Sequence, residues 1–436
     1  MPICDICERV SPVIGGSALR GSARLGCMTA HDSRITSPPP RFTPVAARGS
    51  ARSAIGIGRD WRTALDIALD GIAGGTPDAI VVIASARLAD SLPQISEAVW
   101  HHAGSMIVVG GASSGVIGRG VELEHEPAIS LLALDLPGAI LRPVRFTQGM
   151  LEDAAEGGLA ERIGVERELV NGWFVLADPF KMDGALLVDR LNESYPGSPV
   201  IGGLLAPAEG QRRTWVMLNG QTYDDGGVGL SIGGAFDLMP VVSQGCEPIG
   251  ETWTITGVDG RWVETIANRP ALHMLLETLA TLPVDMQHEA REHLVAGLAA
   301  DEYRETFDRG DFLIRNIIGV RKETGAIALG ARPRVGQTIQ FQVRDAATAD
   351  LDLIATLLEA QLRLDDRKPV AGLIASCNGR GEELFGTPHH DAAAIERRFP
   401  GLPLAGSIAA GEIGTVGTKT FIHGFTCSLG LIVPAS

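Results

Sequence analysis

Apolar residues along the chain follow two periods, one typical of buried strands and one typical of amphipathic helices. Unbroken apolar runs end in Ile-Ala-Ser at Ile83–Ser85 and again at Ile374–Ser376, and each predicts a buried parallel strand. In both places a helical pattern and a second strand follow, and the second strand enters a glycine-rich stretch, Gly110–Gly118 or Ala405–Gly414. Each copy therefore predicts a right-handed βαβ unit that ends in a loop of small residues.

A third copy of this unit is predicted between the other two. Trp173–Ala177 reads as a strand, Gly184–Leu191 as a helix, and Pro199–Ile201 as a strand that leads into Gly202-Gly203. Hairpins are predicted around the copies, with Asn219-Gly220 as one turn signal. The predicted fold class is α/β, with two related mixed α/β domains built from repeated βαβ units with added hairpins.

Leucines at helical spacing predict further helices in the second half of the chain. On this basis residues 270–307 are predicted to be helical, and the pattern continues through Leu294, Leu298 and Tyr303. A second leucine-rich stripe, from Leu351 to Leu362, predicts one long helix. The domain boundary is placed before these helices, which gives domains at residues 56–250 and 251–436.

Residues 1–55 differ from the rest and are predicted to be a disordered leader. They are rich in Ser, Pro and Arg and show no sustained hydrophobic period. Cys4, Cys7, Cys27 and His31 have a spacing that a zinc site can use, but a leader without fixed structure is the favoured interpretation.

Composition and charge exclude several classes of partner. The chain has 436 residues and a formal net charge of −15, whereas nucleic acids and anionic membranes attract clustered Lys and Arg. No uncharged apolar run reaches the roughly 18 residues that a membrane-spanning helix needs. Six cysteines in a chain of this length do not form a disulfide scaffold. We therefore expect a cytoplasmic protein with neither nucleic acid nor membrane as a partner.

The glycine-rich stretches are the strongest functional signal in the sequence. A loop with few side chains leaves its backbone N–H groups free to approach a ligand closely. Glu412 lies where the first copy carries Val116, so the turn itself does not need this carboxylate; it either reads a ligand's amino group or forms an ion pair. The predicted ligand-binding residues in the two stretches are Gly110, Gly111, Ser113, Gly406, Gly411 and Glu412.

The loop after the second Ile-Ala-Ser strand is the next candidate, because open α/β sheets bind ligands beyond the carboxyl ends of their strands. Arg380 is suited to clamp a carboxylate or phosphate, and Asn378 to hydrogen-bond it. A turn with a purely structural role is the alternative for both residues, and it is favoured for Cys377 over a nucleophile. The predicted ligand-binding residues of this loop are Ser376, Cys377, Asn378 and Arg380.

Two histidines complete the predicted ligand pocket. His390 precedes a helix for which Asp391 is the predicted N-cap, and His390 either binds the ligand or only holds the loop. His423 begins the last strand of the repeat and is predicted to line the pocket.

No catalytic motif accompanies these residues. The sequence has no Walker loop, no G-x-S-x-G and no G-x-G-x-x-G followed by an acidic residue, and no metal constellation stands out. We therefore predict a protein that is not an enzyme and that carries no cofactor. A small-molecule enzyme that uses Cys377 or His390 is one alternative, and a haem protein with an axial His or Cys is another.

Short motifs spread over about residues 60–430 resemble those of the FIST proteins, which pair an N-terminal with a C-terminal FIST domain. In the N-terminal half the resemblance rests on Gly110–Gly118, Pro127-Ala128, Asp178-Pro179, Pro199–Gly203 and Ser243–Cys246. In the C-terminal half it rests on Phe312–Asn316, Val335–Gln337, Arg344-Asp345, Ser376–Gly381, Leu384–Gly386, His390-Asp391, Ala405-Gly406, Gly411–Gly414 and His423–Thr426.

The resemblance implies an intracellular sensory module for signal transduction. Amino acids or related metabolites are the ligands proposed for the family, and some bacterial members look like haem-based nitric oxide sensors. Eukaryotic members attach the module to an F-box, and no such segment is recognisable here. The resemblance therefore implies a small-molecule ligand and a separate signalling protein as the output partner.

Overall fold

The computed structural model describes residues 49–435, apart from residues 103, 106, 285, 286, 288, 289, 291, 292, 303, 305, 308 and 309. Most of the predicted leader, including Cys4, Cys7, Cys27 and His31, lies outside the described residues. Its last residues belong to the fold, because Ser50–Ile57 form the edge strand β1. The prediction that the leader runs to residue 55 is wrong at this end. A strand of small and polar residues is held here by its pairing with a buried neighbour, which its own hydrophobic pattern does not reveal.

Strands provide most of the regular structure, in the chain order β1 (Ser50–Ile57), β2 (Ala79–Ser85), β3 (Val108–Ser113), β4 (Gly115–Gly118), β5 (Val121–Leu123), β6 (Ala128–Asp135), β7 (Ala139–Phe146), β8 (Gly172–Ala177), β9 (Val200–Leu205), β10 (Trp215–Leu218), β11 (Gln221–Tyr223), β12 (Gly227–Gly234), β13 (Phe236–Ser243), β14 (Glu247–Asp259), β15 (Trp262–Ile266), β16 (Arg269–Pro270), β17 (Leu294–Ala299), β18 (Phe312–Arg321), β19 (Ala326–Leu329), β20 (Thr338–Val343), β21 (Ala371–Cys377), β22 (Leu404–Val416), β23 (Lys419–His423) and β24 (Cys427–Pro434).

The helices of the described residues are α1 (Trp61–Gly71), α2 (Leu92–His102), α3 (Gln148–Asp153), α4 (Leu159–Ile163), α5 (Gly184–Ser194), α6 (Ala271–Ala280), α7 (Ala346–Leu364), α8 (Gly381–Phe385) and α9 (His390–Arg398), with short 3-10 turns at Ala86–Ser91 and Arg167–Leu169. Asp60 caps α1 and Asp345 caps α7 through side-chain bonds to first-turn N–H groups.

The predicted βαβ copies are present, and each gains an antiparallel third strand. β2 and β3 run parallel with β6 antiparallel to β2, and β21 and β22 run parallel with β24 antiparallel to β21. The third copy has β8 and β9 parallel, with β12 antiparallel to β8. The α/β fold class is therefore confirmed.

Three sheets organise the described residues. Sheet A has the order β1-β6-β2-β3-β10-β11. Sheet B has the central order β13-β24-β21-β22-β9-β8-β12-β7, with β23 and β4 also paired to β22 and β5 paired to β4, so it joins strands from both halves of the chain. Sheet C has the order β14-β20-β17-β18-β19-β15-β16 and comes from one continuous segment. The predicted domain boundary near residue 250 falls at the start of sheet C and stays a prediction.

The two glycine-rich stretches are strands, so the prediction of loops is wrong. The first forms the end of β3 and all of β4, and the second lies within β22. They pair with each other, with Ala405 opposite Gly118 and Ile408 opposite Gly115 in antiparallel register. Their backbone N–H groups therefore serve strand pairing and close packing.

Each parallel pair has one glycine where the strands approach too closely for a side chain. A Cβ atom on Gly110 or Gly202 would lie 1.8 Å from the carbonyl oxygen of Val82 or Val175, and a Cβ on Gly406 would lie 2.0 Å from that of Ile374. These carbonyls belong to the residues paired with the three glycines. The glycines are thus a requirement of the repeat's strand geometry.

The helix prediction for residues 270–307 holds for α6 (Ala271–Ala280) and for Val284, Gln287 and Ala290, which are also helical. It is wrong for the last part, because Leu294–Ala299 form β17, an inner strand of sheet C. The apolar run Leu294–Ala299 is too short for its period to separate a helix from a buried strand, and pairing with β18 and β20 decides the outcome.

Candidate functional site

The charged groups beyond the end of β21 form an internal ion pair. The Arg380 guanidinium donates from Nε to Asp391 Oδ2 at 2.7 Å and from Nη2 to Asp391 Oδ1 at 2.9 Å. Both side chains are 1% exposed. Burial would raise the pKa of Asp391, but the neighbouring guanidinium and hydrogen bonds hold it well below its usual range. Arg380 is therefore committed to Asp391, which favours the structural interpretation of this residue.

Ser376 and His390 belong to the same network. The Ser376 hydroxyl donates to Asp391 Oδ2 at 2.7 Å. His390 lies between two carboxylates, with Nδ1 3.0 Å from Asp391 and Nε2 3.0 Å from Asp350, and its ring stacks on Phe385 at 3.4 Å between centroids. Both ring nitrogens of His390 thus have protein partners.

The first turns of α8 and α9 are capped by carboxylates that sequence reasoning missed. Glu122, in β5, accepts from Ala392 N at 2.6 Å, and Glu124 accepts from Glu382 N at 2.9 Å. Burial raises the pKa of Glu122 to about 7. The prediction that Asp391 caps this helix is wrong, because α9 already begins at His390 and Asp391 lies inside its first turn. No sequence signal links Glu122 to a helix in the other half of the chain.

Cys377 is a buried thiol in an environment that disfavours the thiolate. Its Sγ accepts from Gly379 N at 3.5 Å, and its side chain lies beside Glu412. Burial and then the negative charge of Glu412 raise the pKa of Cys377 to about 12. His390 bonds to Asp391 and Asp350 instead of to this thiol. Asn378, the next residue, is exposed.

Glu412 and His423 occupy facing positions on the hairpin of β22 and β23. Glu412 is 0% exposed; its Oε2 accepts from Thr426 N at 3.0 Å, whereas its Oε1 has no hydrogen-bond partner among the described residues. Burial raises the pKa of this carboxyl to about 8. The side chain is therefore mostly a protonated acid at neutral pH, with a donor to offer.

His423, opposite Glu412, is another buried group with a polar atom that has no partner among the described residues. Its Nε2 lies 3.0 Å from the Gly414 carbonyl, so Nε2 carries the proton and Nδ1 is left as an acceptor. Within the described part of the chain Nδ1 has no partner. Burial, and then the nearby positive charge of Arg315, lower the pKa of His423 to about 4, so the imidazole is neutral at pH 7.

An open cavity of about 700 Å³ extends along the same hairpin. Because side chains alternate along a strand, Lys419, Phe421 and His423 share one face of β23. Lys419 and Phe421 line the cavity, and the Phe421 and His423 rings meet edge to face at 6.3 Å. The remaining lining residues are Ala300, Asp301, Glu302, Arg304, Asp311, Arg334, Val416, Gly417 and Thr418. The hairpin face thus runs from an open cavity to two buried polar atoms.

The other predicted ligand residues lie elsewhere in the fold. Gly110, Gly406 and Gly411 are buried within strands, and a Cβ on Gly111 would meet Leu205 and Trp215 at 2.8 Å. Ser113 donates to Ile408 O and accepts from Ala206 N at 2.9 Å, which ties neighbouring strands together. These residues line neither the 700 Å³ cavity nor a neighbouring one of about 470 Å³ that shares Val416 and Gly417 with it.

The described residues offer neither a metal-binding cluster nor a membrane-spanning helix. They contain no group of three or more His, Cys, Asp or Glu side chains that could hold a metal ion. Among the helices they form, none is both long and apolar enough to cross a membrane.

Comparison with known proteins gives matches along most of the chain. A family model for the FIST N domain matches residues 78–269, and one for the FIST C domain matches residues 271–415. An uncharacterized protein of Mycobacterium tuberculosis is 36% identical over 362 residues, which is 83% of this chain and 93% of that protein. An uncharacterized protein of Mycobacterium bovis is 33% identical over 398 residues, which is 91% of this chain and 97% of that protein.

Proposed function

The chain belongs to the FIST family of sensory domains in signal transduction, and on that premise we propose that it binds a small polar ligand along the hairpin of β22 and β23. Amino acids and related metabolites are the first compounds to test. The ligand would enter from the cavity lined by Lys419 and Phe421. It would reach Glu412 and His423 farther along the same face of the hairpin, which is the inner end of the proposed site. The glycine-lined cleft expected from the sequence is replaced here by this hairpin face.

The supporting observation is the pair of buried atoms without a partner, Glu412 Oε1 and His423 Nδ1. A buried polar atom left unsatisfied costs about 1–3 kcal/mol, and such atoms are rare in native folds. Seven other buried polar atoms of the described residues also lack a partner, but these two lie on facing residues of one hairpin, which favours a guest that supplies both a donor and an acceptor. A fixed water molecule satisfies the same atoms, and the Cys377 thiol is a further donor beside Glu412. The test must therefore separate a ligand from both.

The position of the hairpin supports a sensory role. One of its faces packs into the core of the N-terminal half through Ile413 and Ile422, and Asn192 donates to Thr420 O at 2.9 Å. On the cavity side, β23 lies against β18 of sheet C. A ligand between hairpin and sheet C would favour one arrangement of the two over another, and a separate output protein would recognise that arrangement.

The test is a thermal-shift screen of amino acids, other small metabolites and haem. A ligand at 100 times its Kd stabilises the folded state by about 2.7 kcal/mol. That is roughly 3 °C for a unit of about 390 residues, given ~2.1 cal/mol/K of unfolding entropy per residue.

The informative variant is Glu412→Leu, which removes the donor that the protonated acid offers to the ligand. Its matched control is Glu122→Leu, which removes another buried carboxyl, on β5, that bonds to Ala392. We expect the ligand shift to be lost in the first and kept in the second. Binding that is unchanged in Glu412→Leu would reject this site, and a screen without any shift would leave only a structural water.

An enzyme that uses Cys377 or His390 has less support. The raised pKa of Cys377 keeps its sulfur protonated, and both nitrogens of His390 are bonded to carboxylates. A haem site in the cavity has less support as well, because none of its described lining residues is a His, Cys, Met or Tyr. A Soret band after haem reconstitution would show that the protein binds haem.

A further inference from the structure

The inner end of the proposed site is electropositive, and this charge restricts the chemical class of the ligand more than the size of the cavity does. The guanidinium of Arg315 acts on His423 and that of Arg380 on Glu412, while Arg344 lies near Cys377 and Arg380. Only Arg380 is balanced, by Asp391. Arg315 donates to Ile314 O at 2.8 Å, and Arg344 donates to Gly379 O at 2.7 Å. No carboxylate from the described part of the chain forms an ion pair with either of them.

Arg315 is the guanidinium whose charge acts on His423, whereas Arg380 acts on Glu412. It lies on β18, which packs against β23, and its charge contributes to keeping the His423 imidazole neutral. Its side chain is half-buried and desolvated, which lowers the pKa of Arg315 without removing its charge at neutral pH. A half-buried guanidinium with only a backbone carbonyl as its partner is suited to bind an anion.

The neutral groups next to Arg315 offer a complementary donor and acceptor. Glu412 Oε1 is a donor in the protonated acid, and His423 Nδ1 is an acceptor. They do not bond to each other, since both atoms have no partner within the described residues. A hydroxyl or an amide satisfies this pair, because each can accept from Glu412 and donate to His423. An ammonium group has no acceptor oxygen to give and faces Arg315 as a like charge.

We propose that the site takes a small organic carboxylate with a neighbouring amide or hydroxyl, held by Arg315 through its carboxylate and by Glu412 and His423 through its neutral group. This ligand class rests on the proposed function of the same hairpin site. It excludes free amino acids that would place their ammonium group at the inner end, and it favours acylated amino acids and hydroxy acids.

The cavity outside this inner end is mixed in charge and agrees with an anionic guest. Arg334 and Lys419 are exposed cations in its lining. Of the three acidic lining residues, Glu302 accepts from Thr338 N at 3.0 Å and Asp311 pairs with Arg304, while Asp301 also has a protein contact.

Three small probes separate the alternatives by one functional group each. N-acetylglycine has a carboxylate and an amide, glycine has a carboxylate and an ammonium, and glycinamide has an ammonium and an amide without a carboxylate. We expect an NMR titration of the full chain to give a Kd for N-acetylglycine at least tenfold below that of glycine, and no saturable binding of glycinamide.

The variant Arg315→Met should weaken N-acetylglycine binding at least tenfold, and Arg315→Lys should restore part of it. The matched control is Arg321→Met, on the same strand, whose guanidinium stacks on Trp262 at 3.9 Å outside the site. Far-ultraviolet circular dichroism and the melting temperature show whether each variant is folded, and the Lys variant keeps the test valid if the Met variant is not.

Glycine or glycinamide that binds as well as N-acetylglycine would overturn this ligand class but leave the ligand site standing, provided Glu412→Leu still abolishes that binding. N-acetylglycine binding that is unchanged in Arg315→Met would overturn the role of Arg315. A panel in which none of the three probes binds would also overturn the inference, while the wider metabolite screen decides the proposed function.

Discussion

Replacing Gly406 by alanine tests whether the repeated glycines shape the strands or serve a ligand. An added Cβ would lie 2.0 Å from the Ile374 carbonyl oxygen and 2.3 Å from Ile374 Cγ2, both far inside van der Waals contact. The neighbouring atoms belong to a buried strand with partners on both sides, so relief requires that β21 or β22 move by more than an ångström.

The expected cost is at least about 3 kcal/mol, the upper part of the range for overpacking a close-packed interior. With an unfolding entropy of ~2.1 cal/mol/K per residue, a unit of about 390 residues loses roughly 4 °C in melting temperature. The same result is expected for Gly110→Ala and Gly202→Ala, whose added Cβ atoms would each lie 1.8 Å from a carbonyl oxygen.

The assay is the melting curve followed by tryptophan fluorescence, with Gly149→Ala as the matched control. Gly149 lies in α3, where an added Cβ meets no atom within 4 Å, so that change should be neutral or stabilising by up to about 1 kcal/mol. A Gly406→Ala protein that melts within about 1 °C of the wild type would refute the close-approach argument. Loss of ligand binding without loss of stability would instead restore the glycine-lined ligand site predicted from the sequence.

Two further outcomes follow from the buried charges. Asp391→Asn should lower the free energy of unfolding by about 3–5 kcal/mol, because it leaves Arg380 buried without its counter-charge. The control Asp350→Asn, at a side chain that is 39% exposed, should lower it by under about 1 kcal/mol. Equal melting temperatures for the two variants would contradict this prediction. Between pH 7 and 8 the free energy of unfolding of the wild type should fall by about 1 kcal/mol. The reason is that folded Glu412, with a pKa of about 8, still holds a proton that the unfolded carboxyl has released above pH 4.5. Chemical denaturation at each pH should show a flatter pH profile for Glu412→Gln but not for Glu359→Gln, whose side chain is exposed.

The local patterns in the sequence determined the family and the building blocks. Two Ile-Ala-Ser strands, each followed by a helix and a glycine-rich strand, predicted the repeated unit because buried parallel strands leave unbroken apolar runs. The long helix α7 was equally visible, but not its orientation: Leu357 is buried, while Leu351 and Leu362 are 62% and 72% exposed. A helix that is apolar on most sides gives no period from which to choose the inner face.

Pairing between distant segments was decided only by the tertiary structure. The two glycine-rich stretches became partners in one sheet, and Glu122 came to cap a helix in the other half of the chain. Neither contact leaves a trace in local composition. The strand β17 was likewise set by its neighbours, against a leucine spacing that also suits a helix.

The candidate site shows the same division. The sequence identified Glu412 and His423 as unusual residues, since a buried carboxylate and a strand histidine need a partner or a purpose. It did not place them opposite each other, with Arg315 near His423 and a cavity along the same hairpin. That arrangement depends on how β23 folds back on β22 and on how sheet C packs against the hairpin, and such long-range packing is fixed by the sum of many buried contacts and not by any single stretch of residues.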